Sequence, residues 1–260
     1  MNLYTETTGA GTPLLMIHGI ISDGSFFDGC LPCLSDDYQV ITYDRRGYGR
    51  SIGESWKDFS VGAQAEDAAE VLRRHTDQKA LIFGNSAGGL IALELAFRHP
   101  DLVRGMVLLE PSLAWDEEER KKLREWNREL NEYAASGRIK RAMPAFTRVT
   151  GAPASGDGGG LAEMKKTFAN LKNFMYGELN EVQLSGGQGY DPGLERCRDL
   201  QIPVKVAVTK KGSGSIFATS SVSGAELAGW EILPFPGYHN TAKDMPEEFA
   251  IALKQALKGL

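Results

Sequence analysis

Gly84-Asn85-Ser86-Ala87-Gly88 stands where an apolar run, Ala80 to Phe83, meets a helical pattern that extends from Leu90 to Phe97. The five residues have the form G-x-S-x-G. A strand that ends and a helix that begins in so tight a turn leave room only for glycine two positions before and after the serine. The serine hydroxyl is then exposed at the helix N-terminus. A serine helix cap flanked by turn glycines gives the same letters. The legible strand before and helix after favour the other reading, in which the turn aims a nucleophile, Ser86.

Outward from this point the chain alternates strand and helix signals. Towards the N-terminus, Pro13 to His18 is apolar up to His18-Gly19-Ile20-Ile21, which suits a buried parallel strand delivering a loop to its C-terminal edge. Open α/β sheets place ligands at that edge. Leu3 to Thr7 alternates and reads as an edge strand, and Gln39 to Tyr43 as a further strand. The latter opens into Asp44-Arg45-Arg46-Gly47-Tyr48-Gly49-Arg50-Ser51, whose arginines are expected in a solvated or hydrogen-bonded turn rather than on a substrate. Val61 to His75 repeats at helical spacing. Beyond the elbow, Arg98-His99-Pro100 stops its helix, and Gly105 to Leu109 is a strand that ends in Glu110-Pro111. A carboxylate at the end of a central strand needs a reason.

From 112 to 200 the rhythm breaks. Asp116 to Tyr133, Arg138 to Val149 and Leu161 to Tyr176 read as helices, with a glycine-rich hinge from Gly151 to Gly160. Residues 112–200 are therefore expected to form an inserted helical cap on a core made of 1–111 and 201–260. Leu184-Ser185-Gly186-Gly187-Gln188 matches the signature peptide of ATP-binding cassette transporters, but the chain has no G-x-x-x-x-G-K-[ST] loop to go with it. Strands resume at Pro203 to Val208 and Glu231 to Phe235, and Pro246 to Leu257 is an amphipathic helix. The fold class expected is α/β, a mostly parallel sheet flanked by helices.

Composition narrows the partners. The 260 residues are 42% hydrophobic and 24% charged with a net charge of −5, enough for one large domain and without the basic footprint that nucleic acid or an anionic membrane demands. No run approaches the ~20 apolar residues of a membrane helix, and the N-terminus has no leader pattern, so a cytoplasmic location is expected. Three cysteines do not make a disulfide framework. Cys30-Leu31-Pro32-Cys33 is expected to pack as small apolar groups rather than bind metal.

A serine hydroxyl needs a base within hydrogen-bond reach and a third group that fixes the tautomer of that base. Of four histidines, His18 follows an early strand, and His75 and His99 lie near helix ends. Only His239 lies in a glycine-bounded loop after the last strand, which makes it the candidate base.

Together, His18-Gly19, the run from Asp44 to Ser51, Gly84 to Gly88, and Gly237-Tyr238-His239 resemble the α/β-hydrolase superfamily over nearly the whole chain outside residues 112–200. The chain order Ser, acid, His is the order used there. The resemblance implies hydrolytic chemistry without metal or organic cofactor, and an oxyanion hole made by the backbone N–H groups of Ile20 and Ala87. Members usually carry the acid just after the strand that follows the cap. Here Thr209 to Ser215 holds no carboxylate, and none appears before Glu226. A minority pattern, as in some haloalkane dehalogenases and zearalenone-type lactonases, puts the acid after the strand that precedes the cap. Glu110 occupies that place and is the candidate acid, with Asp116 second.

The resemblance leaves the substrate open, because one fold hosts many reactions. Dehalogenases and epoxide hydrolases of this superfamily use an aspartate nucleophile, which Ser86 is not. Phe26, with Trp115, Phe146 and Phe174 from the expected cap, is a candidate substrate-binding residue for a small, mostly apolar ester or lactone. A slow-turnover receptor-like binding protein, a carbon–carbon bond hydrolase and an acyltransferase are the alternative readings. The sequence leaves the oligomeric state open.

Overall fold

Apolar runs bounded by turn residues become the strands of one seven-stranded sheet. The computed structural model describes residues 2–52, 58–111, 113–151, 161–179 and 190–260. The strands are β1 (Thr5–Thr8), β2 (Thr12–Ile17), β3 (Tyr38–Tyr43), β4 (Ala80–Asn85), β5 (Val103–Leu109), β6 (Val204–Thr209) and β7 (Glu231–Phe235), in the order β1-β3-β2-β4-β5-β6-β7. Only β1 runs antiparallel, on β3 at the edge. Every residue of β4 is buried, as expected of a parallel strand covered on both faces.

Alternation along the strands decides which helix covers which face. Leu15, Ile17, Ile82 and Leu108 face a cluster with α2 (Val61–His75) and α3 (Ala87–Arg98). Leu14, Met16, Phe83 and Leu109 face the opposite way. There they meet Leu34 of α1 (Leu31–Leu34), and Phe249 and Leu253 of the C-terminal helix (Pro246–Leu257). Each fully buried leucine of this kind contributes ~2 kcal/mol of hydrophobic stabilisation. Ser60 caps α2 by accepting from the Ala63 N–H, and α3 stops at His99, before Pro100.

Between β5 and β6 the described residues form helices and turns only. They are α4 (Glu117–Ala135), a 3-10 turn (Ile139–Ala142), α5 (Met143–Thr150), α6 (Leu161–Asn173), a π turn (Phe174–Glu178) and α7 (Leu194–Arg198). Two segments expected as single helices are thus each divided in two. Asp116 caps α4 by accepting from the N–H groups of Glu118 and Glu119 and so is engaged away from any histidine. The hinge from residue 152 onward and the Leu184 to Gln188 motif lie outside the described residues. After β6, α8 (Ile216–Ala228) covers Val206 and Val208. It escapes a periodicity reading because Ala, Ser and Gly fill much of it, so no single apolar stripe stands out. A short helix, α9 (Thr241–Asp244), follows β7, and Pro246 at the first helical position opens α10, the C-terminal helix. No described helix is long and apolar enough to cross a membrane.

Candidate active site

The elbow at Ser86 is built as its glycines imply. A Cβ on Gly84 would stand 2.6 Å from the carbonyl oxygen of Gly88, and one on Gly88 would stand 2.2 Å from that of Ile17. Ser86 is held at φ +54 and ψ −123, with its N–H donating to Leu109 O at 2.8 Å. Ala87 is the first residue of α3, so its N–H has no partner within the helix ladder and lies at the positive end of the helix dipole. The loop after β2 closes against this point: a Cβ on Gly19 would lie 3.1 Å from the Ser86 Cβ. Ile20 follows directly, and Ile21 has φ +58. The sheet thus brings the Ile20 and Ala87 segments to one serine.

Register places the candidate acid next. Asn85 pairs with Leu109, so Ser86 and Glu110 extend side by side from neighbouring strands. Glu110 is fully buried at φ +44, a conformation that a β-substituted residue adopts rarely. Its Oε2 accepts from His239 Nδ1 at 2.6 Å. Its Oε1 accepts from the N–H of Thr209 at 2.8 Å and from the Thr209 hydroxyl at 2.5 Å. The stretch from Thr209, which holds no carboxylate, therefore still takes part through Thr209, the last residue of β6, which holds the far side of the Glu110 carboxylate. Finding it from sequence requires knowing that β5 and β6 are neighbours, which the order of elements alone does not show.

Among the described residues, three non-glycine residues have positive φ: Ile21, Ser86 and Glu110. All three stand at the C-terminal edge of the sheet. Conformations of this kind cost ~1–3 kcal/mol each and persist where the surroundings over-determine them, often at functional sites.

His239 is buried, and its ring lies 5.4 Å, centroid to centroid, from that of Phe217. From there an aromatic row continues through Trp126 to Phe146 and Phe174, at spacings of 5.6, 5.2 and 5.6 Å. Phe146 and Phe174 thus reach the histidine through Trp126 and Phe217 and are themselves buried in the core. Phe26 is half-buried and packs edge-on against Phe27. Trp115 donates its indole N–H to Asp191 at 3.1 Å. Of the four aromatics singled out in the sequence, Phe146 and Phe174 are in ring contact with each other. A cavity of about 720 Å³ lies elsewhere, lined by Lys122, Glu125, Trp126, Glu129, Arg148 and Ile216 among others, and none of Ser86, Glu110 and His239 lines it.

Of the two arrangements expected of the arginine turn, solvated or hydrogen-bonded, the structure has the second. Arg45 and Arg46 are 1% and 5% exposed, so neither is solvated. Arg46 forms a two-pronged ion pair with Asp67 of α2, at 2.6 and 2.9 Å. Arg45 pairs with Glu178 of the π turn, which also accepts from Tyr48 OH and from Gln64 Nε2 at 2.8 Å. Burial and the Glu178 charge push the Tyr48 hydroxyl well above its ordinary pKa. A pair 133 residues apart carries no local signal. Nearby, Asp23 accepts from Lys166 and Asn170 of α6, each at 3.2 Å, which seats that helix over the loop after β2. Cys30 is buried, and its thiol is pushed up to about 12 by desolvation, so it is no nucleophile at neutral pH.

A sequence model described as the alpha/beta hydrolase fold matches residues 12–169, more than half of the chain. The chain belongs to the alpha/beta hydrolase family. Its sheet order and elbow agree with that membership. Among curated relatives, an uncharacterised hydrolase of Bacillus subtilis, YraK, is 35% identical over 113 residues, 43% of this chain and 42% of the relative. A pimeloyl-[acyl-carrier protein] methyl ester esterase of Vibrio cholerae is 32% identical over 112 residues, 43% of this chain and 42% of the relative. The aligned region is thus about two-fifths of those relatives. A thermophilic esterase from Thermogutta terrifontis superposes with a TM-score of 0.73 at 19% identity, covering 98% of this chain and 93% of that one, a likeness of fold.

Proposed function

We propose that this alpha/beta hydrolase cleaves a carboxylic ester or lactone of a small, mostly apolar substrate through an acyl-enzyme on Ser86. The observation that carries the reading is the 2.6 Å contact of Glu110 with His239, set beside a strained serine at a strand end. The carboxylate accepts the Nδ1 proton and so selects the tautomer in which Nε2 is a base. Ser86 Oγ bonds to the acyl carbon as its proton passes to Nε2, and the carbonyl oxygen takes the negative charge opposite the N–H groups of Ile20 and Ala87. Collapse breaks the bond to the alkoxide, which leaves with the proton from Nε2. Water then attacks the acyl carbon, giving its proton to Nε2, and Ser86 leaves with that proton as the acid is released. No step requires a metal or organic cofactor. The helices between β5 and β6 act in this reading as a cap, seated by Asp23 and Arg45, and Trp126 of α4 gives it an apolar contact with Phe217 of α8 beside His239.

The test is a panel of p-nitrophenyl esters and of five- and six-membered lactones against the protein and Ser86→Ala. The variant is expected to lose about 10⁴- to 10⁶-fold in kcat while melting like the parent. A fluorophosphonate is expected to label Ser86 alone. Hydrolysis that survives in Ser86→Ala, or label on another serine, refutes the assignment.

A further inference from the structure

The oxyanion donor proposed at Ile20 shares a peptide unit with the carbonyl of Gly19. A peptide is planar, so fixing its C=O also fixes where its N–H points. Two buried donors hold the Gly19 oxygen: His18 Nδ1 at 2.8 Å and Arg45 Nη2 at 2.9 Å. The His18 tautomer is determined, because its Nε2 faces the backbone N–H of Arg45 at 3.0 Å and must accept. Nδ1 therefore carries the proton and donates to Gly19. Burial and the neighbouring guanidinium keep that ring neutral, its pKa lowered to about 4.

Arg45 is itself aimed by the helical segment. Its Nη1 donates to Gln64 Oε1 at 2.5 Å and to Glu178 Oε1, and its Nη2 reaches Glu178 Oε2 at 3.2 Å. Among the described residues its Nε has no partner. A buried pair of this kind is weak evidence for stability, since apolar residues of equal volume often do as well. What this pair adds is a guanidinium edge directed at one carbonyl. Donors on an amide oxygen also polarise the amide and strengthen its N–H as a donor.

Resting on the hydrolase reading above, we propose that Arg45, held by Glu178, is a positioning residue that aims and polarises the Ile20 N–H. The oxyanion hole is then complete only when the helices between β5 and β6 are seated.

The experiment compares wild type with Arg45→Gln, Arg45→Lys and Glu178→Gln. It measures kcat and KM on a p-nitrophenyl ester, and affinity for a trifluoromethyl ketone that forms a tetrahedral adduct on Ser86. The matching secondary alcohol, which fills the pocket without an oxyanion, is the control. Arg45→Gln is expected to lower kcat about 10- to 100-fold, within the range set by donor misplacement, with KM changed less than about twofold. Ketone affinity should fall by the same factor while alcohol affinity stays. Arg45→Lys should recover part of the loss, and Glu178→Gln, which preserves shape, should lose about 3- to 10-fold, the scale of a charge-assisted hydrogen bond weakened but not removed. Unchanged ketone affinity in Arg45→Gln overturns the proposal, and so does alcohol affinity falling in parallel. Should Arg45→Gln fail to fold, Glu178→Gln decides by the same two affinities. Failure of fluorophosphonate to label Ser86 in wild type would instead refute the hydrolase reading.

Discussion

Glu110→Gln isolates the pairing at the centre of the site, because the surrounding donors dictate how the amide must sit. The Thr209 N–H, 2.8 Å from Oε1, can only donate, so the atom facing it must accept. In the variant that atom is the amide oxygen. The amide nitrogen is then turned towards His239 Nδ1, which stood 2.6 Å from Oε2. A donor there requires Nδ1 without its proton, and the proton moves to Nε2, the nitrogen proposed as the base. The flipped amide would set donor against donor at Thr209 and leave a buried group unsatisfied at about 1–3 kcal/mol. Either arrangement disables the base while shape is preserved. The expected loss is about 10⁴-fold in kcat, the effect of the equivalent change in a serine protease, or about 5 kcal/mol of barrier. Glu110→Asp keeps the charge but withdraws it by one methylene, and should fall between. Initial rates on a p-nitrophenyl ester, normalised to folded protein by circular dichroism, provide the assay. A loss smaller than about tenfold in Glu110→Gln would refute the role assigned to Glu110.

Thr209→Val removes the hydroxyl that donates to Glu110 but keeps the backbone donor; kcat should fall about 5- to 50-fold, in line with one lost hydrogen bond to a charged group, and an unchanged rate would show that the N–H suffices. His18 makes stability depend on pH. Its folded pKa of about 4 lies below the ordinary 6.5, so the unfolded chain binds more protons between those values. Its contribution is present above pH ~6.5 and is lost as pH falls towards 4, amounting to on the order of 3 kcal/mol. Urea unfolding of wild type and His18→Gln should differ in slope against pH across that window, and equal slopes would contradict this. Gly88→Ala would drive a methyl into the Ile17 carbonyl 2.2 Å away. It should cost roughly 3 kcal/mol, and a melting temperature within about 2 °C of wild type would show that the elbow yields.

The strands, the elbow and the position of His239 are legible in the sequence because each rests on local pattern: fully buried apolar runs, glycine spacing, a loop after the last strand. Glu110 is legible for a different reason. It is a carboxylate at a buried strand end, and no other acid is available between Val208 and Glu226. What is not legible depends on neighbours in space. Thr209 matters only because β6 lies beside β5. Arg45 reads as a solvated or hydrogen-bonded turn residue, and its partner Glu178 comes from a π turn that no periodicity announces. The aromatic row likewise depends on Phe217 in α8, a helix whose small residues mask its apolar face. Phe146 and Phe174 stand at the far end of that row from His239.

The backbone strain and the buried charges of this domain are two sides of one arrangement. Glycine at 86 and at 110 would relieve the positive φ, and apolar residues in place of Arg45 and Glu178 would avoid desolvating a pair. The sheet does not need any of these residues. It tolerates them because β2, β4 and β5 are packed on both faces, so their C-terminal ends are held against one another with little freedom to relax. Ile21, Ser86 and Glu110 are the ends of those three strands or one turn beyond, and Arg45 follows β3, the next strand outward. The strain therefore falls where four rigid elements point at one volume, and the long-range contacts that fix its geometry come from Thr209 on one side and Glu178 on the other. Here Glu110 meets His239, and Arg45 meets Gly19, through direct contacts within the chain itself.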